Sequence, residues 1–285
     1  MEKAKTVGDI FKLSYDLSNE NPAIYSPIKK LMIFGVVDIF ALFYFILGVS
    51  EILPLPFYGL GLVVYLFLTL IYKYFFNAKM EMRLSWILKE SLLGEDANRE
   101  KAKEYTKKNK YKRIKIAFID IFFNKIKPRG SKKPSGVLGT ISSLILNAGA
   151  SLWRLVNHFL ISAMVVEDVG LKEGVVELKT IKENLSETLG GFFAIDITLL
   201  AFKRIVKLID FFIIVAGIAL TILTNSVVFL LLSIGIALTT DAILVSLDKI
   251  AKVSYYTVLY TVIKKSEEIP EEKTIEVNNF LKLEK

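Results

Sequence analysis

Residues 208–247 read LIDFFIIVAGIALTILTNSVVFLLLSIGIALTTDAILVSL, with Asp210 and Asp241 as their only formal charges. A single helix of that length would run about 60 Å, twice the ~30 Å hydrocarbon core of a bilayer, so the chain has to turn back once. Thr224-Asn225-Ser226 is the one polar place for it to do so. Residues 208–224 and 226–247 are therefore expected to be two membrane-spanning helices joined as a hairpin.

Working outward, the composition agrees with a membrane protein. The chain has 285 residues, 53% of them hydrophobic, and a mean hydropathy of +0.47, too apolar for layers of amphipathic elements in water. Without cysteine there are no disulfides, iron–sulfur clusters or thiolate metal sites, and with one histidine only carboxylate or carbonyl metal sites remain. No cofactor is expected. The first 30 residues are polar and no small-residue cleavage site follows the first apolar run, so Leu31 onward reads as a retained span.

That first span is 31–50, and Leu53-Pro-Leu-Pro56 turns it into a second at 55–76. From Asn77 the period changes. Met80, Leu84, Ile87, Leu88 and Leu92 recur at helical spacing among charged residues, which predicts a separate amphipathic helix lying along the surface. Residues 77–136 form a basic insert. Residues 137–166 are apolar but interrupted by Arg154 and His158, and are expected to be a bent or re-entrant segment paired with the short run 116–123. A second amphipathic helix follows over 167–189, broken by Gly190-Gly191. Lys249–Lys265, with Tyr255, Tyr256 and Tyr260, reads as a helix anchored at the interface, and 266–285 as a charged tail. The expected fold is all-α: a polytopic transmembrane bundle of about six embedded segments plus interfacial helices.

Lysine and arginine place the loops. Of 37 basic residues, 5 fall in 1–30, 18 in 73–136, 6 in 167–207 and 7 in 248–285, while the turns at 51–56 and 224–226 have none. Cytoplasmic loops are the basic ones, so both termini are expected inside and both bare turns outside, in a prokaryotic cytoplasmic membrane.

With that layout, Leu93-Gly-Glu-Asp-Ala97 after the second span, and Trp153 through Val166 leading into Glu167-Asp-Val-Gly-Leu-Lys-Glu173, resemble a family of uncharacterised prokaryotic multi-pass membrane proteins known only as a domain of unknown function. The similarity covers roughly residues 70–265. It implies an architecture and a cytoplasmic-membrane location but no activity.

Charges inside a membrane cost about 2.5–3.5 kcal/mol at a helix centre by insertion scales, so each calls for a partner or water. Arg154, His158, Asp38 and Asp241 are the candidate polar core, with Arg154 as selectivity charge and the aspartates as its counter-ions. Asp210, beside Lys207, is taken to need no special account. Glu167 is the candidate helix cap, or ion-pair partner of Arg154. Gly59 and Gly61 are small residues suited to close helix contact. In the basic run, Lys107, Lys108, Lys110, Lys112 and Arg113 are expected to hold anionic lipid headgroups rather than nucleic acid. The functional expectation is non-enzymatic, channel- or transporter-like passage of an ion or small solute, in a homo-oligomer. The alternatives are a non-conducting scaffold or assembly partner, and a lipid-processing enzyme with its site near Glu167.

Overall fold

The computed structural model describes residues 19–48, 54–125, 159–182 and 185–273. All regular structure among them is helical. After a 3-10 turn at Pro22–Ile24 come α1 (Tyr25–Gly48), α2 (Leu55–Leu92), α3 (Arg99–Lys108), α4 (Lys110–Lys125), a helical stretch at 159–166 (α5), α6 (Leu171–Lys182), α7 (Leu185–Thr224) and α8 (Val228–Lys265). Three of these helices, α2, α7 and α8, are long and apolar enough to cross a membrane.

The chain divides into two compact units. One comprises Ile28–Lys73 and Asp196–Lys249, hence most of α1 and the apolar stretches of α2, α7 and α8. It is apolar on the outside: no residue in the most apolar window of α2, and 11% of those in the windows of α7 and α8, are buried. Phe40, Phe67, Phe212 and Leu223 are all more than half exposed. Within this unit α1 lies against α2 through Phe45, which stacks on Tyr58 and Tyr65, and through Phe34 and Tyr72. On its other side α1 meets α8. A Cβ on Gly35 would stand 3.2 Å from the Ala242 Cβ, and Ser246 Oγ donates to the Leu31 carbonyl at 3.5 Å. Helix α8 in turn packs on α7.

The α7–α8 hairpin turns where expected. Asn225 adopts φ 52°, a left-handed conformation that asparagine tolerates better than most residues. Thr221 Oγ1 ties the two helices, accepting from the Leu230 N–H at 3.1 Å while donating to the Gly217 carbonyl at 2.8 Å. Gly217 is the tightest crossing: a Cβ there would fall 2.6 Å from the Ser233 Cβ and 3.0 Å from the Phe229 carbonyl oxygen. Of the glycines expected to allow close helix contact, Gly61 does meet Phe45, but Gly59 faces open space.

The other unit, Met1–Pro27, Tyr74–Ile195 and Ile250–Lys285, has a conventional core. The stripe Met80, Leu84, Ile87, Leu88 and Leu92 is at most 2% exposed, so its helical period was read correctly. Its placement was not. Asn77 starts no new helix, because α2 continues unbroken through Ala, Met, Leu, Lys and Glu, all good helix formers, with no glycine or proline to stop it. It ends at Gly94 (φ 74°), where the Glu95 N–H reaches the Glu90 carbonyl at 2.8 Å and the Gly94 N–H reaches that of Ser91 at 3.3 Å, an arrangement that calls for a residue without Cβ. Asn98 then caps α3, accepting from the N–H groups of Glu100 and Lys101. The Leu93–Ala97 motif is thus a helix stop followed by a helix start.

Two further boundaries differ from expectation. Gly190-Gly191 does not end a helix, since α7 runs through it: two glycines cost about 1 kcal/mol each, too little to break forty residues otherwise rich in helix formers. Nor do Tyr255, Tyr256 and Tyr260 lie at an interface. They are 4%, 0% and 0% exposed, with Tyr256 against Phe159 of α5 at 4.5 Å between ring centroids. Of the proposed bent segment 137–166, only 159–166 lies within the described residues, and these eight are buried in this core. Its expected partner run, 116–123, belongs to α4, whose Ile116 and Ala117 are also buried. Three hydroxyls join the helices at 0% exposure: Thr257 donates to Ser85 at 2.8 Å, and Ser162 lies 3.2 Å from Thr257.

Gly217→Leu is expected to destabilise the hairpin by about 1–3 kcal/mol, the usual cost of overpacking, whereas Gly59→Leu leaves stability unchanged. Thermal unfolding of the two variants in detergent checks the contrast.

Candidate functional site

The apolar unit carries a short ladder of charges between α7 and α8. Lys203 lies 3.2 Å from Asp248, and Lys207 lies 2.8 Å from Asp241. Their spacing follows from the hairpin. Counting back from the turn brings Lys203 and Asp248 to the same level, whereas Asp241 is level with Asp210 and is reached by Lys207 from about one turn further along α7. A third carboxylate joins the second rung. Asp210, one turn along α7, has its Oδ2 4.0 Å from Lys207 Nζ. Asp210 is 4% exposed, and among the described residues this oxygen accepts no hydrogen bond. One lysine therefore serves two aspartates, and the better geometry goes to Asp241. Asp210 thus requires the account that the sequence reading did not give it.

The expected polar core is redrawn. Arg154 and His158 lie outside the described residues. Asp38 and Asp241 each face a lysine, on different neighbouring helices. Asp38 of α1 reaches Lys73 of α2 at 3.5 Å, and the Tyr65 hydroxyl donates to its backbone carbonyl at 3.5 Å. Asp241 turns to α7 because the next residue, Ala242, is the one seated on α1. Of Lys73, Lys203 and Lys207, Lys203 alone stands at the same distance from its turn as the aspartate it meets, so Lys203–Asp248 is the pair that the sequence spacing could have revealed.

In the other unit, Glu167 does not cap the following helix. Its N–H bonds to the Ala163 carbonyl at 3.1 Å and so closes α5, while α6 begins at Leu171 with Gly174 bonded back to Gly170. The next residue is the more constrained. Asp168 adopts φ 51° and is clamped from two sides: Lys112 Nζ donates to its carboxylate and to its carbonyl, both at 2.8 Å, and the Tyr105 hydroxyl donates to the carboxylate at 3.3 Å. Burial first, and the adjacent Asp168 carboxylate second, push the Tyr105 phenol well above its ordinary range. Lys112 is therefore committed to Asp168, and Arg113 is partly buried with its Nε sealed from solvent. Lys107, Lys108 and Lys110 are exposed.

A cleft of about 750 Å³ opens in the same unit beside Glu20, Glu95, Asp96, Arg99 and Glu100. Its lysine, Lys273, is taken up by Glu20 at 3.3 Å and by the Ser91 carbonyl at 2.7 Å. Among the described residues no group of three or more His, Asp or Glu side chains is placed to hold a metal ion.

No family model, curated protein or solved structure matches the chain.

Asp241→Lys is expected to lower the unfolding temperature by setting two lysines together, and Lys207→Asp in the same chain to recover at least half of the loss. A swap with no recovery would show that the contact contributes nothing. For Tyr105 the sign follows from a raised folded-state pKa. The stabilisation is complete below the unfolded value of about 10 and is lost as pH climbs above it. Tyr105→Phe keeps the ring stacked on Trp86, and alkaline unfolding followed by circular dichroism should shift to higher pH.

Proposed function

We propose that the chain is a multi-pass protein of a prokaryotic cytoplasmic membrane that passes a proton or another small cation through the Lys207–Asp210–Asp241 cluster. The observation that carries this is Asp210: a carboxylate at 4% exposure that, among the described residues, has one oxygen without a hydrogen bond and shares Lys207 with a second aspartate. With one positive and two negative groups, the cluster has a negative charge left over for a small cation to balance.

Depth supports the assignment. Asp210 precedes Thr224 by 14 residues and Asp241 follows Val228 by 13, so both lie about 20 Å from the turn. Lys203 and Asp248 lie about 30 Å from it, where a ~30 Å hydrocarbon layer ends. The Lys203–Asp248 rung then falls at the cytoplasmic boundary and the Asp210 rung inside the layer. The distribution of basic residues supports cytoplasmic termini and an outward Asn225. Lys207 and Asp241 are each about half exposed on the monomer. A charged pair inside the layer avoids lipid, and a second copy covering this face would supply the shelter.

The alternative is a non-conducting membrane scaffold. What favours it is that Asp38–Lys73, Lys203–Asp248 and Lys207–Asp241 each bridge two helices, as pairs that simply lock a bundle would.

Liposomes containing the purified protein and an internal pH-sensitive or sodium-sensitive dye separate the two. Passage predicts flux well above that of protein-free vesicles, reduced at least tenfold by Asp210→Asn while Lys203→Gln keeps most of it. Flux no faster than in empty vesicles would overturn passage and leave the scaffold.

A further inference from the structure

Helix α4 presents two faces of opposite character. At about 100° per residue, Ile116 and Ala117 lie on one side, at 2% and 0% exposure, and Tyr111, Lys115 and Phe118 lie together on the other. Tyr111 and Phe118 are 68% and 59% exposed, whereas Phe159, Tyr255, Tyr256 and Tyr260 of the same unit are buried. Lys110 lies over the Tyr111 ring at 5.1 Å, and Lys107 and Lys108 end the preceding helix, exposed. No ion pair among the described residues engages Lys107, Lys108, Lys110 or Lys115.

A second observation fixes the level of this face. The Phe118 ring stands edge-on to Phe75 of α2, with centroids 5.7 Å apart. Phe75 and Phe76 are the last residues of the apolar run of α2, and Asn77 opens its polar continuation. The exposed aromatic face of α4 is therefore held, by direct contact, beside the point where α2 changes from apolar to polar. In a membrane-spanning helix that point is the interface, where amphipathic rings and lysines are favoured.

We infer that α4 lies in the cytoplasmic headgroup layer, with Tyr111 and Phe118 inserted and Lys107, Lys108, Lys110 and Lys115 binding anionic phospholipid. The set differs from the one the basic run alone suggests, because Lys112 is held by Asp168 and Lys115 takes its place. An anionic lipid is preferred over nucleic acid because the two exposed rings share the face with Lys115, beside Phe75. A basic residue near an anionic leaflet strengthens attraction about fivefold. Four of them make a lipid-selective patch.

The chain has no cysteine, so single cysteines need no altered background. Nitroxide labels at Tyr111→Cys, Phe118→Cys and, as a control, the exposed Lys103→Cys are read by electron paramagnetic resonance in nanodiscs of mixed phosphatidylglycerol and phosphatidylcholine. Labels at 111 and 118 should collide with dissolved oxygen and be shielded from a water-soluble nickel complex, and the label at 103 should show the reverse. Spin-labelled phosphatidylglycerol should be enriched several-fold over phosphatidylcholine around the protein. With all four lysines changed to glutamine, that enrichment should fall to nearly equal occupancy by the two lipids while the circular dichroism spectrum stays unchanged. Equal nickel accessibility at 103, 111 and 118 would overturn insertion, and undiminished selectivity in the quadruple variant would overturn the lysine assignment. Tight binding of single-stranded RNA by the nanodisc-embedded protein, lost in the same variant, would reassign the lysines to nucleic acid. None of these readouts involves ion flux, so they stand or fall apart from passage through the Asp210 cluster.

Discussion

The backbone of α7 meets the Ser233 side chain at Gly217 with no room for a single added carbon. That contact sets the separation and the phase of the hairpin. With Asn225 turning the chain and Thr221 pinning one helix to the other, positions equidistant from the turn are forced to face each other. The Lys203–Asp248 rung, 3.2 Å long, follows from it, and Lys207 reaches along the hairpin to Asp241 at 2.8 Å. Slide one helix by a turn, about 5.4 Å, and Lys203 and Asp248 would no longer stand level.

The same geometry explains why Asp210 stands apart. Two carboxylates reach for one ammonium, and the hairpin seats Asp241 in the better position, leaving Asp210 buried at 4.0 Å. Burying a charge without full compensation is costly. Asp38–Lys73, with one carboxylate to one lysine, instead joins two helices.

The two units also bury side chains by opposite rules. In one, Phe40, Phe67 and Phe212 point outward and small residues such as Gly35, Ala242 and Gly217 fill the helix contacts, which is how helices associate when hydrocarbon gives no hydrophobic drive between them. In the other, Met82, Leu84, Tyr256 and Tyr260 are sealed inside and Ser85, Ser162 and Thr257 satisfy one another, the pattern of a core formed against water.

Helical class, the turn at Asn225, the apolar hairpin that it joins and the stripe from Met80 to Leu92 were legible in the sequence, because hydropathy and helical period are local and survive without tertiary context. Where helices would stop was less legible. Neither Asn77 nor Gly190-Gly191 ends one, because a helix already under way tolerates about 1 kcal/mol of local cost. The tyrosines of α8 look the same in sequence whether they line an interface or a core, and only Phe159 packing on Tyr256 decided it. Charge identity was likewise written in the chain, but charge partnership was not. That Lys207 serves Asp210 and Asp241, that Lys112 is spent on Asp168, and that Asp38 and Asp241 face different neighbours all depend on which helix lies beside which. Composition settles that such groups are present, while pairing is a property of distances that only the assembled helices possess.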